Sequence, residues 1–448
     1  MEPAVDSVDR DKQGEWSDAT QDVSNIGHVG LLNLGNTCFM NSGLQVLLSS
    51  KHLIGAIMKI REQEKNDSNN IRVNNREMQD AFQNLIDASR GNRADIYRPD
   101  KIKDAASRLN KAFRGYGQQD SFELIQTVLD GLERETNRAK EVPYKLLDTD
   151  GMGYSKAQEL FREHHHMKYD SPITKVTCTE LAKCVMCTKC RARSYSFSYC
   201  QALLLDLPTK ESRTEVKKTK KDEKQDRGSN GLSLSALINN SEKVYTVDNY
   251  YCAKCKTHQR VHVREWISEP AKCLIIQLKR FRNDGHSMFP RFLWKYSKND
   301  SSVEYEDTLE IQSFEFGQDG VERDDMQSDK TCPGSEVDSN ADSTVWETQP
   351  QDDSSSENVV QGMTMAALET KAIARGIGNT NPPQVRSYKY QYRGASLHSG
   401  GLGGGHYTAL CYGCNDKYYY CNDSNVILVD RGKLDTHAYV LLFDRVDC

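Results

Sequence analysis

The apolar positions of this chain come in two textures. From Phe39 they recur at helical spacing. Met40, Leu44, Leu47 and Leu48 fall at i, i+4, i+7 and i+8 and predict a helix starting near residue 38. A second helix is predicted after Gln118-Gln119-Asp120, where Phe122, Ile125, Leu129 and Leu132 share one face. Asp120 or Ser121 can cap it, and Glu123 falls in its first turn, where the dipole favours an acid. The first 165 residues therefore read as mostly helical. After Pro172 the texture changes. Val176 to Leu207 alternates partially, and Cys273 to Phe281 places Leu274, Ile276 and Leu278 on one face. From Tyr388 five strands are predicted, over 388–394, 406–412, 417–421, 426–429 and 437–446. A helical first part followed by a strand-rich remainder predicts an α+β fold.

Three stretches break this patterning. Residues 1–27 carry seven acids against two bases and few aliphatics, and read as a disordered acidic tail, with apolar patterning starting at Val29. Residues 209–230 are almost all charged or small, and read as a disordered insertion. A second insertion is expected over about 318–380, inside an acidic region that still looks strand-like at 303–314. These segments explain a hydrophobic content of only 37% in a chain of 448 residues.

Charge and cysteine content then narrow the function. A net charge of −5 argues against a protein whose main work is gripping nucleic acid. No apolar run approaches membrane-spanning length, and residues 1–27 lack the apolar core of a secretory signal. In that setting the 14 cysteines read as reduced thiols and metal ligands, in the cytosol or nucleus.

Cys38 stands at the start of the first predicted helix, in Gly35-Asn-Thr-Cys38-Phe-Met-Asn41. A thiol there feels the positive end of the helix dipole and free N–H groups, both of which stabilise thiolate. Gly35 allows a tight turn, Asn36 and Thr37 are candidate caps, and the amides of Asn33 and Asn36 can donate to an oxyanion. A lone cysteine in this position would read as a core residue; a distant partner changes that. Gly403-Gly-Gly-His406 heads a predicted strand, and the glycines let a substrate backbone come close. If residues 413–416 form a four-residue turn, hairpin partners sum to 829. His406 then faces Asp423, or Asn422 if the register shifts by one. Either could fix the tautomer of the imidazole, as a Cys–His triad requires.

With these blocks in view, the chain resembles the ubiquitin-specific proteases, papain-like cysteine deubiquitinases. Gly30-Leu-Leu-Asn-Leu-Gly-Asn-Thr-Cys38-Phe-Met-Asn-Ser is similar to that family's cysteine box, and Gly117-Gln-Gln-Asp120-Ser-Phe-Glu-Leu to its Gln-Gln-Asp segment. Leu274-Ile-Ile-Gln-Leu-Lys-Arg-Phe281 is similar to its palm strand. Gly405-His406-Tyr-Thr-Ala, with Tyr419-Tyr-Cys-Asn422-Asp423-Ser, is similar to its histidine box, and Tyr439-Val-Leu-Leu-Phe to its last strand. The resemblance implies a catalytic domain over 28–448, with a helical thumb at about 28–165 and strand-rich fingers and palm at about 166–448. It implies Cys38 as nucleophile, His406 as general base, Asn422 as its orienter with Asp423 as a helper, and Asn33 as oxyanion donor. The implied reaction is hydrolysis of isopeptide bonds at ubiquitin's C-terminal glycine. Its partners would be ubiquitin and ubiquitinated proteins, with no membrane and no direct nucleic-acid binding. A silent ubiquitin-binding scaffold and a protease for a ubiquitin-like modifier are the alternatives.

Two Cys-x-x-Cys pairs, Cys187/Cys190 and Cys252/Cys255, suit a structural tetrahedral Zn²⁺ that closes the fingers, a site the family often has. Cys184 also sits three residues before Cys187. The pair 187/190 is preferred because Arg191-Ala-Arg-Ser194 continues as the family's knuckle does. Asp148 to Glu159 resembles a calcium-binding EF-hand loop, but Met152 takes a ligand position and no second hand follows, so calcium at 148–159 is disfavoured.

Overall fold

The computed structural model describes residues 23–66, 76–90, 96–139, 147–208, 232–242, 244–283, 296–315, 384–401, 404–430 and 437–446. The expected insertions at 209–230 and 318–380 lie outside these residues, as do residues 1–22. Residues 23–27, expected within the tail, are packed. Val23 and Ile26 join the core, and the Gly27 N–H donates to the Ser89 carbonyl. Two aliphatics three apart were too short a pattern to register.

The α-helices among the described residues are α1 (Cys38–Leu48), α2 (Lys51–Asn66), α3 (Glu77–Ala88), α4 (Asp100–Leu109), α5 (Ser121–Thr136), α6 (Tyr154–Lys168), α7 (Pro172–Thr177) and α8 (Leu234–Ser241). Helical structure thus runs past residue 165, because Ser171 caps α7 with Pro172 in its first turn. Residues 154–159 wind as the first turns of α6 rather than as the second half of a calcium loop.

The strands are β1 (Thr179–Cys187), β2 (Arg193–Cys200), β3 (Leu203–Asp206), β4 (Leu232–Ser233), β5 (Val244–Cys252), β6 (Thr257–Glu269), β7 (Cys273–Lys279), β8 (Phe281–Asn283), β9 (Tyr296–Lys298), β10 (Val303–Glu304), β11 (Thr308–Glu315), β12 (Gln384–Gly401), β13 (Gly404–Tyr412), β14 (Tyr418–Asn422), β15 (Asn425–Val429) and β16 (Ala438–Arg445). Two sheets dominate. A four-stranded antiparallel sheet runs β2-β1-β6-β5, and an eight-stranded sheet runs β15-β14-β13-β12-β16-β7-β3 with β11 added beside β12.

Helix α1 is the centre of the molecule. All eleven of its residues are buried, between the other helices and the large sheet. The apolar spacing predicted one buried face; the remaining face is buried through polar contacts. Ser42 Oγ donates to the Thr408 carbonyl at 2.7 Å, Gln45 Nε2 to the Val29 carbonyl at 2.7 Å, and Asn41 Nδ2 to Asp423 Oδ1 at 2.7 Å. Buried polar groups are tolerated where each finds a partner. The cysteine helix is thereby bonded directly to the sheet that carries His406.

Candidate active site

Cys38 opens α1 after a turn in which Gly35 and Asn36 both take positive φ, +106° and +52°. Neither expected cap acts as one. Thr37 Oγ1 accepts from the Leu34 N–H at 2.8 Å, and Asn36 Nδ2 donates to the Tyr116 carbonyl at 2.8 Å. The first N–H groups of α1 are left to the thiol instead. Tyr407, Phe39 and Cys38 itself all present backbone N–H groups to the sulfur. Even so, burial pushes the thiol above its ordinary range, and the Asp423 carboxylate adds to that push. The helix-start argument for a low pKa is thus outweighed by desolvation, which the sequence did not reveal. Thiolate must come from proton transfer to a neighbouring base.

His406 is the third residue of β13, next to the Tyr407 N–H that reaches Cys38. Its Nε2 bonds Asn422 Oδ1 at 2.7 Å. With the amide oxygen accepting, the proton sits on Nε2 and Nδ1 keeps a lone pair for a thiol proton. The hairpin register differs from expectation. Cys411 pairs with Tyr419 and Ala409 with Cys421, so partners sum to 830. The loop holds five residues, 413–417: the Gly413 N–H donates to the Lys417 carbonyl, and Asp416 has φ +57°. One extra residue moves the register away from a direct His406–Asp423 pair. The ladder stops before His406, and Asn422 reaches the ring from its diagonal position.

Asp423 takes another part. At φ +50° its carboxylate turns toward the cysteine loop, accepting from Asn33 Nδ2 at 2.9 Å and from Asn41 Nδ2 at 2.7 Å, while its carbonyl accepts from the Leu31 N–H. Asn33 Oδ1 in turn accepts from the Gly35 and Thr37 N–H groups at 3.0 and 3.1 Å. The Asn33 amide is therefore fixed in orientation, with one Nδ2 proton on Asp423 and a second to give. Asp423→Asn is expected to lower the pH at which Cys38 becomes reactive to iodoacetamide, because the carboxylate that disfavours thiolate is gone. An unchanged or raised midpoint would count against this electrostatic reading.

Two further residues pack around Gly405, beside His406. Gln118 bridges it: Nε2 donates to the Gly405 carbonyl at 2.8 Å, and the Gly405 N–H donates to Oε1 at 3.2 Å. His398 lies buried beneath Gly405, between Phe281 and Tyr407. Sequence reasoning placed Gln118 in a motif without a role and passed over His398, since no periodicity marks a residue that acts across the sheet. Asp120 caps α5, accepting from the Phe122 and Glu123 N–H groups, and also takes the Tyr439 hydroxyl at 2.5 Å.

At the far end of the four-stranded sheet, Cys187, Cys190, Cys252 and Cys255 converge, all four sulfurs within 4.8 Å of one another. Sγ–Sγ separations are 3.9 Å for 187/255 and 3.6 Å for 190/252. A tetrahedron with arms of about 2.3 Å has edges of about 3.8 Å, so the donor set fits Zn²⁺. The amide N–H groups of Cys190 and Lys189 help draw the Cys187 thiol down to about 6, and the neighbouring thiols push Cys255 up to about 12, so the cluster gives up its first proton at Cys187. Cys184 points elsewhere, packing with Tyr154 and Trp266 at the base of the sheet.

Comparison with known proteins agrees with this geometry. The family model described as ubiquitin carboxyl-terminal hydrolase matches residues 29–443. Human ubiquitin carboxyl-terminal hydrolase 15 is 31% identical over 204 residues, covering 45% of this chain and 21% of its own length. Ubiquitin carboxyl-terminal hydrolase 4 of Bos taurus is 35% identical over 189 residues, covering 42% and 20%. The chain thus spans about a fifth of the length of these curated relatives. Among solved structures, the SAGA Ubp8/Sgf11/Sus1/Sgf73 DUB module bound to ubiquitin aldehyde superposes with a TM-score of 0.57 at 18% identity, over 95% of this chain and 71% of that one. At that identity the likeness is one of fold.

Proposed function

The chain belongs to the ubiquitin carboxyl-terminal hydrolase family, and from that premise we propose that it is a thiol-dependent deubiquitinase. It would hydrolyse isopeptide bonds at the C-terminal glycine of ubiquitin. The observation that carries this reading is that Cys38 opens an uncapped helix and meets the Tyr407 N–H, while His406, the residue before Tyr407, has its Nε2 held by Asn422 at 2.7 Å.

In this mechanism His406 Nδ1 takes the thiol proton and the Cys38 sulfur attacks the glycine carbonyl. Backbone N–H groups at the start of α1 and the second Nδ2 proton of Asn33 receive the developing oxyanion. His406 then protonates the departing lysine amine, and water releases ubiquitin from the thioester. Asn422 acts by fixing tautomer and ring angle. As an amide it supplies no negative charge to the imidazolium. Asp423 acts through Asn33 and Asn41. The glycines beside the Gln118–Gly405 bridge would let a Gly-Gly tail approach closely, so specificity would need no deep side-chain pocket. The partners proposed are ubiquitin and ubiquitinated proteins, and a chain with so many free thiols suits the cytosol or nucleus. Ubiquitin bearing a C-terminal propargylamide tests the reading. It should become bonded to the peptide containing Cys38, and not to a Cys38→Ser variant. Binding without a bond would favour a silent scaffold, and faster capture by another modifier would shift the substrate.

The four finger cysteines would hold Zn²⁺, which supplies a cross-link between the β1–β2 and β5–β6 hairpins. Stripping the metal with a chelator is expected to expose about four additional titratable thiols. It should also destabilise the protein by more than about 2 kcal/mol, a fraction of the ~10–16 kcal/mol a structural zinc can contribute. Thiol titration and unfolding midpoints before and after chelation read both.

A further inference from the structure

We propose a second metal site, for a divalent thiophilic cation of the zinc type, formed by His28, Cys411 and Cys421 behind the catalytic strands. The ligand atoms of these three residues lie within 4.8 Å of one another, and both cysteines are buried.

The tautomer of His28 follows from its neighbours. Gln45 Nε2 donates to the Val29 carbonyl at 2.7 Å, which fixes the direction of the Gln45 amide. Its Oε1 therefore faces His28 Nδ1, at 2.7 Å, and Nδ1 must carry the proton. Nε2 is left with the ring's lone pair, so it is the nitrogen that would bind a metal together with the two thiols. A histidine whose other nitrogen donates to a fixed carbonyl oxygen is the arrangement metal-binding imidazoles use. A fourth donor is at hand. Ser49 Oγ lies 3.5 Å from His28 Nε2, and its only proton goes to the Gln45 carbonyl at 3.0 Å, so its lone pairs are uncommitted. It flanks Gly394 together with Cys411: a Cβ built on Gly394 would meet Ser49 Oγ at 3.3 Å and Cys411 Sγ at 3.5 Å.

Charge selects the ion. Binding M²⁺ displaces one proton from each thiol to solvent, and two thiolates with a dication, a neutral imidazole and a hydroxyl leave no net charge in the core. A monocation would balance only one thiolate and leave the second thiol protonated and a weaker ligand. The donors need to close by up to about 1 Å to reach tetrahedral edges of about 3.5–3.8 Å. The position gives such an ion consequences. Cys411 shares β13 with His406, Cys421 directly precedes Asn422, and Ser49 ends the helix that Cys38 begins. One cation would pin together the three elements that carry the triad.

The test is metal stoichiometry after loading with zinc and exhaustive desalting. About two zinc ions per chain are expected in the wild type, and about one in His28→Gln and in Cys421→Ser. If only this site fills, wild type binds one ion that Cys421→Ser loses, which separates failure of the finger reading from failure of this one. One ion that persists in His28→Gln and Cys421→Ser, and disappears when Cys252 and Cys255 are replaced by Ser, overturns the proposal. Should the variants fail to fold, zinc X-ray absorption on the wild type still decides. Two filled sites average about three sulfurs and one nitrogen or oxygen per zinc, and the finger site alone gives about four sulfurs.

Discussion

Gly405→Ala is expected to cut kcat/KM by about 100-fold or more while leaving the protein folded. The added methyl would lie 2.2 Å from His398 Nε2 and 2.8 Å from the Ser399 carbonyl oxygen. Neither can retreat easily. Ser399 is paired backbone to backbone with His406, and the His398 ring is enclosed by Phe281 at 5.3 Å and Tyr407 at 4.5 Å between centroids. Relief must come from the chain at 405 lifting. That breaks both bonds to Gln118 and carries His406, the next residue, away from Asn422. A displacement near 1 Å is enough for the loss stated, because a general base works only within hydrogen-bond reach of its proton. Gly404→Ala is the control. Its Cβ would meet nothing within 4 Å, so strand β13 should keep its place and activity should stay within a few-fold. Equal losses in both variants would mean that flexibility of the glycine segment, and not the close approach to His398, is what catalysis uses. Matching far-ultraviolet spectra and unfolding curves would exclude a folding defect.

The contrast between these two glycines shows where sequence reasoning reached and where it stopped. Blocks of adjacent residues were legible: the cysteine at a helix start, the Gly-His strand, Asp120 as a cap, and two knuckles whose geometry fits one ion. Each rests on local rules, since capping, turns and metal spacing act over a few residues. What stayed hidden depends on how distant segments pack. The pKa of Cys38 is decided by burial under the sheet and by a carboxylate at position 423. The roles of Asn422 and Asp423 turn on one loop residue, because a five-residue connection changes every cross-strand pair after it. The glycines before His406 read as a loose loop, yet Gly404 and Gly405 are paired with Gly401 and Gly400 in the ladder. Their purpose is close approach as much as mobility. Helix α1 looks one-sided in sequence because Asn41, Ser42 and Gln45 are polar, and only the structure shows their partners: Asp423 and Thr408 on the large sheet, and Val29 in the segment before the helix. The family resemblance supplied the order of the blocks, but residue-level roles needed the packed molecule.

Arg393→Met is expected to destabilise the protein by about 3–5 kcal/mol, the usual cost of removing one partner from a buried ion pair. Arg393 would be a poor residue for the middle of a covered strand, between Tyr392 and Gly394. A bulge resolves this. Tyr392 pairs with Phe443 and Gly394 with Leu442, so Arg393 is the extra residue on β12, and its side chain is re-aimed. Nε then lies 3.2 Å from Asp444 Oδ2, with both side chains nearly excluded from solvent, at 6% and 2% exposure. The carboxylate is also the anchor of the second helix. Asp444 Oδ1 accepts from Ser50 Oγ at 2.6 Å and Oδ2 from the Lys51 N–H at 2.7 Å, at the start of α2, where a helix favours an anion. Without Arg393 those two donors would hold a carboxylate in the core with no facing cation. The double variant Arg393→Met/Asp444→Asn should recover part of the loss, because a neutral amide can still bond Ser50 and the Lys51 N–H without a buried charge. Urea unfolding with a shared slope measures both. A loss below about 1 kcal/mol in the single variant would mean that water reaches the pair and screens it. The consequence for the active site is direct. The turn at Ser49–Lys51 ends the helix that begins with Cys38, so the ion pair behind it holds that helix against the strands that carry His406.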